Sequence, residues 1–336
     1  MISLGSVSVR QALGGLEFQL PERSSVPEIE ILLNRSVLLG GKRLRPLLTF
    51  LIADCLEIPL EKVAPFARAA EFTHAATLAH DDVIDEARLR RHRATINARA
   101  SNSRAVLAGD FLLAKALKEI SSAEKPELVA GLASVLEELV SGEWLQLEAR
   151  GITHVGLRHL EEVARKKTAS LISWCCTVAP VLRGCEPGTL RRFSMMGEYI
   201  GIAFQMIDDV IDYQQGGEKP FAQDLREGLV NLVTHHLMDQ NPGMDSEIER
   251  VVAEFRAEEA MLESAGSPAS APVTRWPWSS EQLERARETV RQAGNSKIFA
   301  ARELWAELVR ELRLDEKAPS VRAIFEIIEK IPKRTA

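Results

Sequence analysis

Cysteine is scarce: four residues in 336, at positions 55, 175, 176 and 185. Their spacing matches neither a metal-ligand pattern nor a disulfide framework, and a reducing, cytoplasmic setting is the natural expectation. Aromatic residues make up only 5% of the chain, against 46% apolar and 27% charged, with Ala, Leu, Glu and Arg prominent. That balance belongs to an ordinary helix-rich protein. No apolar run approaches membrane-spanning length, and residues 1–20 lack the basic start and apolar block of a signal peptide. Alternating strand patterns are missing too. A formal charge of −6 argues against general nucleic-acid binding and leaves only local basic clusters. The length suits one large domain or two modest ones, either with an ample core.

What is present is a repeated acidic phrase. Asp81-Asp82-Val83-Ile84-Asp85 returns as Asp208-Asp209-Val210-Ile211-Asp212, each time inside a helical pattern. Residues four apart share a helix face, so Asp81 aligns with Asp85 and Asp208 with Asp212, flanked by Asp82 and Asp209. Like charges at that spacing disfavour a helix, and carboxylates at a helix C-terminus also oppose its dipole. Something cationic must offset them. Magnesium suits, because it takes one or two carboxylates plus substrate phosphates rather than an all-protein cage. Two such clusters facing each other would hold a diphosphate bridged by metal.

In chain order, residues 1–25 read as an irregular N-terminal segment with a short helix at 9–20. Helices are expected at 28–39, 47–56, 61–86, 104–120, 127–149, 160–182, 189–214, 225–238, 246–264, 280–293, 296–314 and 320–331. Between the first two lies Gly40-Gly41-Lys42-Arg43-Leu44-Arg45-Pro46, plainly a helix cap and a solvated turn, or else a cradle for a diphosphate. Arg90, Arg91 and Arg93 come after the first acidic phrase, where surface pairing with the aspartates is the plain alternative. Lys167-Thr168 interrupts an apolar helical face; lysines there are usually just solvated, but this pair could grip phosphate. Ser, Ala and Pro mark 264–279 as a flexible loop, with Trp276 and Trp278 available to dock it. An all-helical antiparallel bundle with inward carboxylates, as a single domain over 1–336, is the consistent architecture.

With these motifs assembled, and with Ala108-Gly109-Asp110 and Gly197-x-x-x-Gly201-x-Ala203-Phe204-Gln205 added, the chain resembles the trans-type polyprenyl diphosphate synthases. Within that family it is most similar to the long-chain, octaprenyl-like branch, well over 39–232 and more loosely beyond. The resemblance implies the isoprenoid synthase bundle around a central cavity, in a homodimer. It implies head-to-tail (1′-4) condensation of isopentenyl diphosphate with an allylic diphosphate (geranyl, farnesyl or geranylgeranyl). By position, Asp81, Asp85, Asp208 and Asp212 would ligate magnesium, three ions bridged by diphosphate, with Asp82 and Asp209 in support. Arg90, Lys167 and Thr168 would hold the allylic diphosphate, with Gln205 supporting that end. Lys42, Arg45, His74 and Arg91 would hold isopentenyl diphosphate. Cations around a departing diphosphate supply the electrostatic stabilisation that ionisation needs, and an apolar interior keeps water from the carbocation.

Two positions depart from the family. His92 stands where Gly is usual, and Leu229 and Asn231 stand where the family has Lys and Thr. Losing the lysine's charge-assisted contact would cost about 1.5–3 kcal/mol unless Lys219 or another cation replaces it. Small residues at Thr73, Ala76 and Thr77, in the turns before Asp81, leave room for a product longer than farnesyl, unless they serve only helix packing. Three other readings compete. His80-Asp81 with His74 echoes metal phosphohydrolases; Leu229 suggests a partner subunit that modulates a catalytic synthase; and terpene cyclases share acidic motifs but need no isopentenyl cradle.

Overall fold

The computed structural model describes residues 5–20, 26–90, 93–121, 123, 125–214, 221–265 and 276–334. Helices α1 (Val7–Gly15), α2 (Pro27–Asn34), α3 (Leu44–Cys55) and α4 (Leu60–Ile84) precede an antiparallel ribbon of two-residue strands, β1 (Leu89–Arg90) and β2 (Arg93–Ala94). Then come α5 (Ile96–Arg99), α6 (Asn102–Ile120), α7 (Pro126–Ala149) and α8 (Leu157–Ala164), the last running through a π-helical turn at Arg165–Ala169 into α9 (Ser170–Arg183). Helices α10 (Pro187–Asp212), α11 (Gln223–Arg226), α12 (Leu232–Gln240), α13 (Met244–Ala265), α14 (Ser280–Glu311) and α15 (Pro319–Lys330) complete the chain, with a 3-10 turn at Ile331–Lys333. The fold is all-α, as expected from the sequence.

The chain divides into two compact units. The first comprises Met1–Leu136, Leu171–Gly197 and Ala301–Ile328. Its centre is α4, which buries Val63, Phe66, Ala67, Ala70, Ala75, Ala76 and Ala79. Alanines keep that helix slim, so α3 and α6 close against it. Phe66 meets Trp174 edge to face at 6.3 Å, and the indole N–H of Trp174 donates to the Leu128 carbonyl at 3.2 Å. Trp305 is fully buried, its N–H donated to the Val321 carbonyl at 3.2 Å. A buried indole needs such a partner.

The second unit comprises Glu137–Ser170, Glu198–Ala300 and Glu329–Ala336. Its core joins Met206, Val210 and Tyr213 with Val233, Leu237, Ile248 and Val252. The Tyr213 hydroxyl shares a buried hydrogen bond with Thr234 at 2.5 Å.

Several boundaries differ from the sequence expectation, each for a local reason. The helix expected to run to residue 20 stops at Gly15, and the one expected to run to 39 stops at Asn34. The helix expected over 225–238 breaks at Gly228, whose φ is +76°, and restarts at Leu232 behind Asn231, whose side chain caps the Thr234 N–H. The break expected at Gly294-Asn295 is absent, since α14 runs straight through. Glycine there costs about 1 kcal/mol, which burial offsets: a Cβ at 294 would only touch Met206 and Ile207 at ordinary contact distance.

Of the loop expected over 264–279, residues 266–275 lie outside the described residues and Ser264 and Ala265 belong to α13, while Trp276 and Trp278 pack against the core of the second unit. Their rings stack at 5.0 Å; Trp276 meets Phe221 at 5.1 Å and Trp278 meets Tyr213 at 5.9 Å. The Arg226 guanidinium lies 4.7 Å from the Phe255 ring and 5.6 Å from that of Trp276. Trp276→Ala should therefore destabilise the second unit by about 2 kcal/mol, read as a lower urea midpoint with an unchanged slope.

Candidate functional site

The first acidic phrase forms the last turn of α4. Ala87 N–H donates to the Asp82 carbonyl at 3.0 Å and Glu86 takes a left-handed conformation (φ +52°), a helix stop of the Schellman kind. The chain then folds back. Asn97 donates to the carbonyls of Asp82 and Ala87 at 2.9 and 3.1 Å, and the Thr95 hydroxyl donates to Ala87 at 2.7 Å. These bonds satisfy carbonyls that the helix end leaves open.

The β1–β2 ribbon returns Arg90 onto Asp82, donating at 2.8 and 2.9 Å to one carboxylate oxygen. Asp82 is 1% exposed. Burial raises its pKa against the pull of Arg90. The three aspartates thus divide: Asp82 is turned into the protein and neutralised, while Asp81 and Asp85 remain half-exposed. Arg90, expected at the allylic diphosphate, spends its guanidinium here. His80, beside them, contacts Asp110 at 3.4 Å and the Val106 carbonyl at 3.2 Å. Its ring fills the space a Cβ at Gly109 would need, 2.2 Å away at the closest atom.

The basic stretch 40–46 is built on three left-handed residues in four, Gly40 (φ +76°), Gly41 (+95°) and Arg43 (+48°). Arg43 is structural: it pairs with Glu71, donates to the Leu38 carbonyl at 2.5 Å and lies 4.3 Å over the Phe18 ring. Lys42 is exposed. Arg45 carries a buried Nε with no hydrogen-bond partner. Burial lowers its pKa, opposed by Glu71 and Cys175. An orphaned buried guanidinium N–H suits an anion that has yet to arrive. His74 is half-buried, and its carbonyl accepts from the Thr77 hydroxyl at 2.9 Å. Thr73 and Ala76 are wholly buried. Arg91, His92 and Lys219 lie outside the described residues.

In the second unit the repeated phrase ends α10 and divides in the same way. Asp209 is buried, accepting from Gln205 at 2.9 Å and from the Leu232 N–H at 3.1 Å. Burial, reinforced by Asp224 and Asp208 and opposed by those two bonds, pushes its pKa up to about 8. Asp212 accepts the backbone N–H groups of Gln223 and Asp224 at 3.0 and 3.3 Å and so holds the loop after α10. Asp208 is 39% exposed and meets Arg334 at 2.7 Å; that guanidinium also covers the Phe204 ring at 3.8 Å.

Beside them lies the π-turn. Helix α7 approaches it so closely that a Cβ at Gly142 would stand 2.9 Å from both the Lys166 Cβ and the Lys167 N. Lys167 pairs with Glu143 and donates to Gln146 at 3.2 Å, and the Thr168 hydroxyl donates to Gln205 at 2.8 Å. Thr168, Gln205 and Asp209 therefore form one connected polar chain, with the Lys167–Glu143 pair next to it in sequence. Leu229 is buried at 9% exposure, and Asn231 bonds Asp224 at 2.9 Å, so both serve the loop itself.

Among the described residues, no group of three or more His, Cys, Asp or Glu side chains could hold a metal ion by itself. A phosphohydrolase would need such a cage. Magnesium completed by substrate phosphates would not, and the half-exposed Asp81, Asp85 and Asp208 are hard oxygen donors of the right kind.

Comparison with known proteins decides the family. The polyprenyl synthetase family model matches residues 26–267. The chain belongs to the polyprenyl synthetase family. It is similar to heptaprenyl diphosphate synthase component 2 of Geobacillus stearothermophilus, 37% identical over 60% of this chain and 64% of that protein. It is also similar to the octaprenyl diphosphate synthase of Escherichia coli K12, 33% identical over 64% and 68%. The matched stretches span between 52% and 71% of the lengths of such curated relatives. In fold, the chain resembles the decaprenyl diphosphate synthase of Rhodobacter capsulatus with a TM-score of 0.79, over 98% of both chains at 24% identity. The resemblance read from the acidic and basic motifs is thereby confirmed at the level of the family.

Sequence reasoning missed two residues at this site. Glu143 is visible only as one acid among several on α7, and Arg334 carries no local motif at all. A ribbon of two-residue strands is equally invisible.

Proposed function

We propose that this polyprenyl synthetase condenses isopentenyl diphosphate head to tail with geranyl, farnesyl or geranylgeranyl diphosphate, giving a long-chain all-trans polyprenyl diphosphate. The observation that carries this reading is the division of labour within each acidic phrase. One aspartate is buried and held (Asp82 by Arg90, Asp209 by Gln205), while Asp81, Asp85 and Asp208 stand half-exposed, Asp208 against Arg334. Stability alone would not leave carboxylates there at a helix end.

Magnesium, in three diphosphate-bridged ions held by Asp81, Asp85, Asp208 and Asp212, would supply the charge neutralisation that lets diphosphate leave. Asp212 would act from behind, since its oxygens hold the loop. Lys167 and Thr168 bind the allylic diphosphate, oriented by Glu143 and by Gln205. Lys42, Arg45, His74 and Arg91 receive isopentenyl diphosphate, with the orphaned Arg45 N–H as the donor waiting for it. The leaving diphosphate is itself a base for the last proton.

Residues 1–336 are read as one functional domain, in keeping with the fold likeness over 98% of the chain. A homodimer is part of the proposal: Val106 and Leu117, eleven residues apart and so on one face of α6, are 41% and 42% exposed. No described helix is long and apolar enough to cross a membrane. Four free cysteines accord with a reducing, cytoplasmic setting.

The test is direct. Purified protein receives magnesium, labelled isopentenyl diphosphate and each allylic primer, and the extracted lipid is sized. Elongated diphosphates are expected. Cyclised hydrocarbon without isopentenyl consumption, phosphate release alone, or turnover only with a second protein would each replace this reading with a competing one. In the same assay Ala76→Phe should shorten the product. Ala76 is wholly buried, so the melting curve is recorded alongside; a folded variant with unchanged products would remove the chain-length argument.

A further inference from the structure

A hollow of about 510 Å³ in the first unit is lined by Gln19, Asn34, Arg35, Leu39, Arg93 and Arg99. Of the described cradle residues, Lys42, Arg45 and His74 do not line it. Three arginines, Arg35, Arg93 and Arg99, line it. Among the described residues none of the three has a carboxylate partner, whereas Arg43 pairs with Glu71, Arg90 with Asp82 and Arg104 with Glu28.

The walls are fixed. Both amide atoms of Asn34 are bonded to the Leu20 backbone at 2.8 Å, tying the 16–20 segment to the end of α2. Arg99 Nε donates to the Ala94 carbonyl at 3.0 Å, which leaves its outer fork to point elsewhere. Arg93 sits on the ribbon, in register with Arg90. Like charges lining one hollow repel unless an anion joins them, and forked guanidiniums match paired phosphate oxygens. Three arginines around one hollow suit the several anionic oxygens of two linked phosphates.

We infer that this hollow is a second anion site, taking a soluble diphosphate-bearing molecule without a metal ion. The inference does not rest on the proposed condensation. Under that reading, though, diphosphate is a released product and the hollow would meet it continually.

The experiment is calorimetric titration of the full chain with inorganic diphosphate in excess chelator, which removes any metal-bridged binding at the aspartates. Wild type and Asp81→Ala/Asp208→Ala should bind alike. Arg35→Ala/Arg99→Ala should bind at least about tenfold more weakly, as expected for loss of charge-assisted contacts. Arg35→Ala/Arg93→Ala, which leaves the Arg99–Ala94 bond intact, should lose binding as well, and circular dichroism melts check that both variants fold. Because the proposed isopentenyl cradle can also take diphosphate without metal, the titrations are repeated in a Lys42→Ala background, where binding should persist and still fall with either arginine pair. Wild-type-like binding by both arginine pairs, no binding left in Lys42→Ala, or no metal-independent binding at all would overturn the assignment.

Discussion

Asp81→Ala is expected to lower isopentenyl incorporation by about 10²–10³-fold, the usual consequence of removing one electrostatic stabiliser from a site of developing charge. Folding should survive, because Asp81 is half-exposed at the last turn of α4, and removing a carboxylate from a helix C-terminus relieves an unfavourable dipole interaction. The neighbouring position makes the contrast. Asp82→Ala strands Arg90 without its buried partner and should cost stability as well as activity. The measurement is kcat/KM for each variant beside its thermal midpoint. A large drop in activity with an unchanged midpoint for Asp81→Ala, and a drop in both for Asp82→Ala, is the expected pattern. Equal behaviour of the two would contradict the inward and outward roles assigned from the geometry.

Gly201→Val should be the most damaging single change to the second unit. A Cβ at 201 would stand 2.4 Å from the Cα and 2.6 Å from the Cβ of Ala169, where α10 crosses the end of the π-turn. The nearest obstacle is backbone, so no rotamer change relieves it, and Ala169→Gly cannot rescue the variant. Overpacking against backbone costs about 3 kcal/mol, the upper end of its usual range. The thermal midpoint should fall by several degrees, and Lys167 and Thr168 should be displaced together with the turn. A near-native midpoint for Gly201→Val would show that the two helices separate more easily than their contact implies.

Much of this is legible in the amino-acid order. Helical periodicity marks out the elements of the bundle, and the doubled Asp-Asp-Val-Ile-Asp points to the chemistry, because both depend on local spacing. The rest depends on what lies opposite in space. Nothing in the spacing of Asp81 and Asp82 says which one Arg90 will claim. Gly294 looks like a helix stop until Met206 and Ile207 are known to lie against it. Arg334, far along the chain from Asp208, carries no motif, yet it is the cation resting on that carboxylate. Leu229 reads as a lost lysine; its burial shows a side chain that belongs to the packing of its own loop.

The π-turn at Arg165–Ala169 amounts to one residue more than a regular helix would hold between α8 and α9. A lineage that deleted one residue there would gain a smoother rod and improve its local backbone bonding. It would also turn everything before the deletion by about 100° relative to the helix after it. Arg165 and Lys166 would swing off Glu138, and Lys167 off Glu143. A one-residue deletion within these five positions would therefore undo those pairs, and the irregularity acts as a fixed phase offset between α8 and α9.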